Sequence, residues 1–381
     1  MQTLAHQDRR LILRRFPLRD DDPLRAWDAA DEYLLRHLAT EGPADLGRLL
    51  LVNDGFGALA VALHAHHPVS WSDSEMARRA LRINLKGNGL DPDTVPFVPA
   101  TEEPAGPFDT VLLKLPKSLV FLEDLLCRLR PLLHADSVVL MGGMIKHTPV
   151  RAYRLLEKIL GPTRTTLGWK KARLAVATLE AKEPPPAAPA VAVLDWAADD
   201  LRLCAGPNVF SRGRLDAGTR LLLDQLPGQE VLQTVLDVGC GYGVLALVAA
   251  RRNPLARVRG VDESHQAVAS ARQNARRAGL DGERTTFAVA ADLSAEESAA
   301  YDLIVCNPPF HQGAAVGDQL AWGMLHQARR LLKPGGRLLV VGNRHLGYHV
   351  KLRRLYDYVR VVVADRRFVV LEAGAAEAEE N

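Results

Sequence analysis

Only four cysteines occur in 381 residues. Cys127, Cys204, Cys240 and Cys306 stand far apart with no CxxC pair among them, which argues against a disulfide framework or a cysteine zinc site. Long apolar runs are missing too. No stretch approaches the ~20 residues of a membrane-spanning helix, and the opening MQTLAHQDRRLILRRF has no continuous apolar core of the secretory kind. Charge of one sign is scarce: the net charge is +3, so the chain as a whole is not a polycation that holds nucleic acid by charge alone. No Ser/His/Asp set or carboxylate pair stands out for hydrolytic work. These absences lead us to expect a cytoplasmic protein with reduced thiols, no metal and no membrane partner.

What is present is a globular composition, 48% hydrophobic and 24% charged, at a length that suits two domains. EPPPAAPAV, residues 183–191, is rich in proline and alanine and has no periodicity. It reads as a stiff linker between a unit at 1–182 and a unit at 192–381. In the second unit short β-branched runs alternate with helical patterns, the signature of a mostly parallel sheet covered by helices. The pattern predicts strands over 234–238, 258–261, 286–289, 303–306 and 337–341, and helices over 264–278 and 320–332. VRVVVAD and FVVLEA, separated by Arg366 and Arg367 alone, predict a closing antiparallel hairpin.

The first unit repeats the plan in weaker form. LLVNDGFGALA lies over VLDVGCGYGVLA, VSWSDSEMARRALRINLKGNGL over VRGVDESHQAVASARQNARRAGL, and FDTVLLKLPK over YDLIVCNPPF. Three matches in one order indicate an internal duplication. The copies part where chemistry would occur, with Leu51 for Asp237, Asn53 for Gly239, Lys114 for Asn307 and Lys117 for Phe310.

VLDVGCGYG sets Gly239, Gly241 and Gly243 directly after a strand. Glycine serves where the backbone turns sharply and a ligand lies against it. The dinucleotide fingerprint wants a further glycine at Val244, so a nicotinamide or flavin is disfavoured. GxGxG here resembles instead the S-adenosyl-L-methionine loop of class I methyltransferases; a plain tight turn is the bland alternative. Asp237 would suit the ammonium of the methionine part, Asp262 the ribose hydroxyls with Glu263 as an alternative, and Asp292 the adenine amine. Each could instead cap the following helix. In VCNPPFHQG, Pro308 and Pro309 remove two donors and fix a rigid corner. There the side-chain carbonyl of Asn307 and the backbone carbonyl of Pro308 would accept from a planar amine and draw its lone pair out of conjugation. Phe310 would stack on the ring for about 1–3 kcal/mol. His311 reads equally as a contact to base or phosphate and as a cap.

Two basic runs stand out. One holds Arg151, Arg154, Lys158, Arg164, Lys170, Lys171 and Arg173, and the other Arg344, Lys351, Arg353, Arg354 and Arg360. Each is either a solvated face or a phosphate contact.

At these residues the chain resembles the bacterial ribosomal RNA guanine-N2 methyltransferases, and the likeness covers nearly its whole length. It includes RFPLRDDDPLRAWDAADEYLL, LGWKKARL, NVFSRGRLDAG and GNRHLGYHVKL as well as NPPFH. AWDAADEYLL above all is similar to the enzyme type acting on 23S rRNA, with a shorter relative that acts on 16S rRNA as the alternative. The resemblance implies two tandem class I, Rossmann-like folds: a degenerate, RNA-binding first domain and a catalytic second one. It further implies S-adenosyl-L-methionine as donor, guanine N2 as acceptor, and protein-free or early-assembly rRNA as the partner of a monomer. Adenine-N6 or glutamine-N5 methylation is the rival within enzymes, because NPPF corners serve all planar amines. An rRNA-binding assembly factor with a vestigial site is the rival of another class, opposed by the intact glycines and NPPF.

Overall fold

The computed structural model describes every residue except 1, 19–21, 44, 181–186, 229–231, 310–314 and 375–381, and the backbone alone of 315–319. The chain divides into two compact units, 1–190 and 191–381.

Each unit is built on a seven-stranded sheet. In chain order the first sheet holds Leu49–Val52, Val69–Ser72, Phe97–Pro99, Phe108–Lys114, Leu133–Met144, Thr163–Thr165 and Ala172–Thr178. The second holds Thr234–Val238, Arg257–Asp262, Thr285–Val289, Tyr301–Cys306, Leu332–Asn343, Tyr358–Ala364 and Phe368–Gly374. In space both run third, second, first, fourth, fifth, seventh, sixth. The first five strands pair in parallel and the last two add antiparallel. Strands one and four are neighbours in both sheets, and this reversal of strand order opens a crevice beyond their carboxyl ends where such sheets take ligands.

The central strands read as apolar runs because helices cover both faces. In Leu49–Val52, Leu49 and Leu51 enter one core while Leu50 and Val52 enter another. In Thr234–Val238, Val235 faces one core and Leu236 and Val238 the other. Each such side chain taken out of water contributes roughly 1.5–3 kcal/mol. Asp237 breaks the run, as a fully buried carboxylate in the middle of the sheet.

The expected strands and hairpin form, with one difference. The fifth strand begins at Leu332 rather than near 337 because Leu332 pairs with Tyr301 before a register shift brings Arg337 opposite Leu303. Gly335, at φ +72, takes up the intervening turn of backbone.

The duplication extends to elements that periodicity did not suggest. A two-stranded hairpin precedes each sheet, Thr3–His6 with Arg9–Ile12 and Ala192–Trp196 with Leu201–Ala205. A buried asparagine ties each hairpin end to its glycine loop. Asn274 Nδ2 donates to the carbonyls of Cys204 (2.8 Å) and Tyr242 (2.9 Å), and its Oδ1 accepts from Cys204 N (2.8 Å). Asn84 does the same with Arg14 and Phe56. Residues 187–190 of the proposed linker are irregular, and 183–186 lie outside the described residues. No helix among the described residues is long and apolar enough to cross a membrane.

Candidate active site

Register brings the candidate residues to one edge of the second sheet. Val238 is level with Val261 on one side and Cys306 on the other, so Gly239, Asp262 and Asn307 follow side by side. Asp262 is level with Val289, which sets Asp292 just beyond the third strand.

Gly239, Gly241 and Gly243 all have positive φ, at 74°, 56° and 89°. They differ in surroundings. A Cβ on Gly241 would meet nothing within 4 Å, whereas one on Gly243 would lie 3.0 Å from Ala271 Cβ and 3.2 Å from Phe287 Cε1. Gly243 therefore lets the helix Val244–Arg252 start against its neighbour, and Gly241 keeps space open above the loop.

The three carboxylates have distinct settings. Asp237 Oδ2 accepts from Ala246 N at 3.0 Å, while its Oδ1 is buried with no partner among the described residues. Burial, with repulsion from Asp262 adding to it, pushes the Asp237 carboxyl up to about 7. Asp262 Oδ2 accepts from Gly241 N at 2.8 Å and its Oδ1 from Ser264 N at 2.9 Å, so it braces the glycine loop and the entry to the helix His265–Arg277. Carboxylate oxygens accept more than one hydrogen bond each, which leaves that bracing compatible with a ligand. Asp292 Oδ1 accepts from Ser294 N and Oγ at 2.9 and 2.5 Å. The site fits a ligand carrying a cation and a flat group: a buried carboxylate oxygen awaits a donor and a bare glycine backs open space. That donor set suits S-adenosylmethionine.

The Asn307 amide is held on its nitrogen side. Nδ2 donates to Thr219 Oγ1 at 2.6 Å and lies 3.4 Å from Asp216 Oδ2, and Oδ1 is buried without a partner among the described residues. Pro308 is buried and Pro309 partly so; Phe310 and His311 lie outside the described residues. Asp216 and Thr219 were not singled out by the sequence reading. Their signal is DAGT before the apolar run LLL, an N-cap spacing that looks purely structural until the fold brings it to Asn307.

The first unit shows how such a site closes. Val52 pairs with Leu113 as Val238 pairs with Cys306, so Lys114 occupies the position of Asn307. Its ammonium contacts Asp28 at 2.6 Å and Asp31 at 2.7 Å. Asp54 replaces Asp237 from the adjoining loop, accepting from Ala58 N and Ala60 N at 3.0 and 2.9 Å, and burial pushes it up to about 7.

The basic candidates scatter in their roles. Arg151 and Arg154 are exposed on the helix Val150–Ile159. Lys170 and Lys171 form a left-handed turn, with Lys170 paired to Glu32 at 2.6 Å and 4.6 Å above the Trp169 ring. Arg173 is half-buried, and exposed Arg344 donates to Asp365 O at 3.0 Å. Arg360 belongs to the final hairpin instead of a free basic face, bound to both oxygens of Glu372 at 2.8 and 3.0 Å. Among the described residues no cluster of His, Cys, Asp and Glu could hold a metal.

Comparison with known proteins agrees with this two-part plan. Residues 1–181 match the RLMG N-terminal domain and residues 200–372 the methyltransferase small domain. A Thermus thermophilus 16S rRNA N2 methyltransferase, solved with AdoMet and guanosine, superposes with a TM-score of 0.78 at 24% identity, covering 98% of this chain and 97% of its own. The ribosomal RNA large subunit methyltransferase G of Pseudomonas paraeruginosa is 47% identical over 365 residues, 96% of this chain and 97% of the relative. That of Ectopseudomonas mendocina is 49% identical over 366 residues, 95% and 97%. Likeness at that level over 95–96% of the chain, with the N-terminal domain matched over residues 1–181, puts the chain in the ribosomal RNA large subunit methyltransferase G family.

Proposed function

We propose that the chain methylates the exocyclic N2 of a guanine in 23S rRNA with S-adenosylmethionine as donor. The observation that carries the reading is the corner at Asn307, whose amide oxygen is buried without a partner among the described residues, as is one oxygen of Asp237 on the neighbouring strand. A polar atom kept dry without a partner costs about 1–3 kcal/mol, a cost that persists where a ligand supplies the missing group.

S-adenosylmethionine supplies an electrophilic methyl on a sulfonium, so the protein's residues have no bond to activate on that side. Asp237 would receive the ammonium, Gly239 and Gly241 would let the donor lie against the backbone, and Asp262 and Asp292 would take the ribose and adenine. On the acceptor side Asn307 Oδ1 and the Pro308 carbonyl accept from the guanine amine, localising its lone pair. Phe310 stacks on the base. No strong base is needed, because the proton leaves after transfer. A guanine in structured RNA must flip out to reach the corner, at a cost of a few kcal/mol. Phosphate contacts from Arg151, Arg154, Lys171 and Arg344 help offset it and make binding weaken with salt. In this reading the first unit is the RNA platform, the second is catalytic, and the monomer acts on protein-free rRNA.

The test is transfer of labelled methyl to protein-free 16S and 23S rRNA from cells lacking the gene, followed by nucleoside analysis. N2-methylguanosine in 23S rRNA alone is the expected result. Label in 16S rRNA alone, or in neither, overturns it.

A further inference from the structure

A primary amide in a pocket can be turned by 180° at little steric cost, and only its hydrogen-bond partners decide which end faces out. For Asn307 both partners come from one helical turn. Asp216 caps the helix Ala217–Leu223 by accepting from Thr219 N at 3.1 Å, which locks the cap to the third helical residue. The same Asp216 Oδ2 lies 3.4 Å from Asn307 Nδ2, and Thr219 Oγ1 accepts from that nitrogen at 2.6 Å. A carboxylate only accepts, so the flipped amide would set oxygen against oxygen. Oδ1 is thereby turned away from the helix and left without a partner among the described residues.

The first unit has the same three positions. Asp28 caps the helix Ala29–Glu41, Asp31 stands three residues on, and Lys114 replaces Asn307. There the groups answer one another completely, ammonium to two carboxylates. In the second unit the cap and its partner answer only half of the amide.

We propose that Asp216 and Thr219 are positioning residues for methyl transfer, which hold the Asn307 amide in the one orientation that offers its carbonyl to the acceptor amine. The inference rests on the reading of Asn307 as the receiver of the guanine amine. Asp216 has a second effect through the amide: drawing on its N–H side makes Oδ1 a stronger acceptor. As the amine's lone pair forms the N–CH3 bond, the S–CH3 pair goes to sulfur and the amine carries the positive charge until its proton leaves to water. The polarised carbonyl, backed by a carboxylate, stabilises that charge as it develops.

The experiment uses the full chain, protein-free 23S rRNA from cells lacking the gene, and the variants Thr219→Val, Thr219→Ser and Asp216→Asn. Thr219→Val lowers kcat by about tenfold to a hundredfold, the range set by a misaligned catalytic group. Its Kd for S-adenosylmethionine and its Tm stay near wild type. Thr219→Ser keeps the hydroxyl and recovers most of the rate. Asp216→Asn keeps a capping oxygen but loses the charge, and lowers kcat without weakening donor binding. A folded Thr219→Val with kcat within about twofold of wild type overturns the proposal. So does a loss shared by Thr219→Ser, or one that follows Tm or donor affinity, since either marks a merely structural role. A wild-type protein that does not methylate this rRNA strikes down the guanine reading itself, an outcome distinct from an active wild type with indifferent variants.

Discussion

Asn307 and Asp237 each hold one buried oxygen with no partner among the described residues, and substitutions at Asn307 and Asp262 are expected to separate catalysis from donor binding. Asn307→Ala removes the acceptor for the amine and lowers turnover about a hundredfold or more, with donor affinity nearly intact in an equilibrium titration; Asp262→Ala weakens donor affinity first. Asp237 makes ligand-free stability depend on pH. Burial lifts its carboxyl from an ordinary 3.8 to about 7, so between those values the folded protein holds a proton that the unfolded chain has released. Stability therefore falls as pH rises through that window and levels off above it. Asp54, lifted to about 7 mainly by burial, acts in the same sense. Thermal melts from pH 5 to 8 are expected to show the decline, and Asp237→Asn with Asp54→Asn to flatten it. The glycines divide in the same way. Gly241→Ala meets no neighbour but places a Cβ in the open space at φ +56, so it costs roughly 1–2 kcal/mol of stability and its main effect is on donor binding. Gly243→Ala presses on Ala271 at 3.0 Å, and its expected effect is a lower Tm.

At the scale of elements, the strands and covering helices of the second unit were readable because each presents a single period to the core. The helix His265–Arg277 buries Ala267, Ala271 and Ala275 at four-residue spacing behind a Ser264 cap, so its limits follow from local rules. The hairpins before each sheet were not readable. Four or five residues of alternation in a polar setting do not stand out from loop, and what fixes them is one distant side chain. Asn274 is fully buried and serves three backbone groups of Cys204 and Tyr242. Asn274→Leu strands all three, and at about 1–3 kcal/mol for each unmet group the second unit is expected to lose most of its stability, seen as a large fall in denaturant midpoint.

At the scale of the molecule, two copies of one plan differ in whether the strand-four corner is satisfied from within. Burial lowers the Lys114 pKa, but Asp31 and Asp28 outweigh it and hold the ammonium above its usual range. Removing that charge leaves Asp31 buried and unpaired, so Lys114→Ala costs roughly 3–5 kcal/mol. Because each unit has its own cores, the loss belongs to residues 1–190. Calorimetry is expected to show one transition moved down while S-adenosylmethionine still raises the melting of the other. A uniform shift of both would show that the units melt as one.

The sequence alone determined the sheet plan, its duplication and the glycine loop, because period and turn chemistry act over a few residues. It also located the carboxylates, though not what each does. Only the tertiary structure decided that Asp262 braces the glycine loop, that Arg360 is bound into the last hairpin, and that Asp216 and Thr219 meet the Asn307 amide nitrogen across 91 and 88 residues of chain. Hydrogen bonds depend on distance and direction in space, and their partners leave no mark on the local pattern that a reader of the chain can follow.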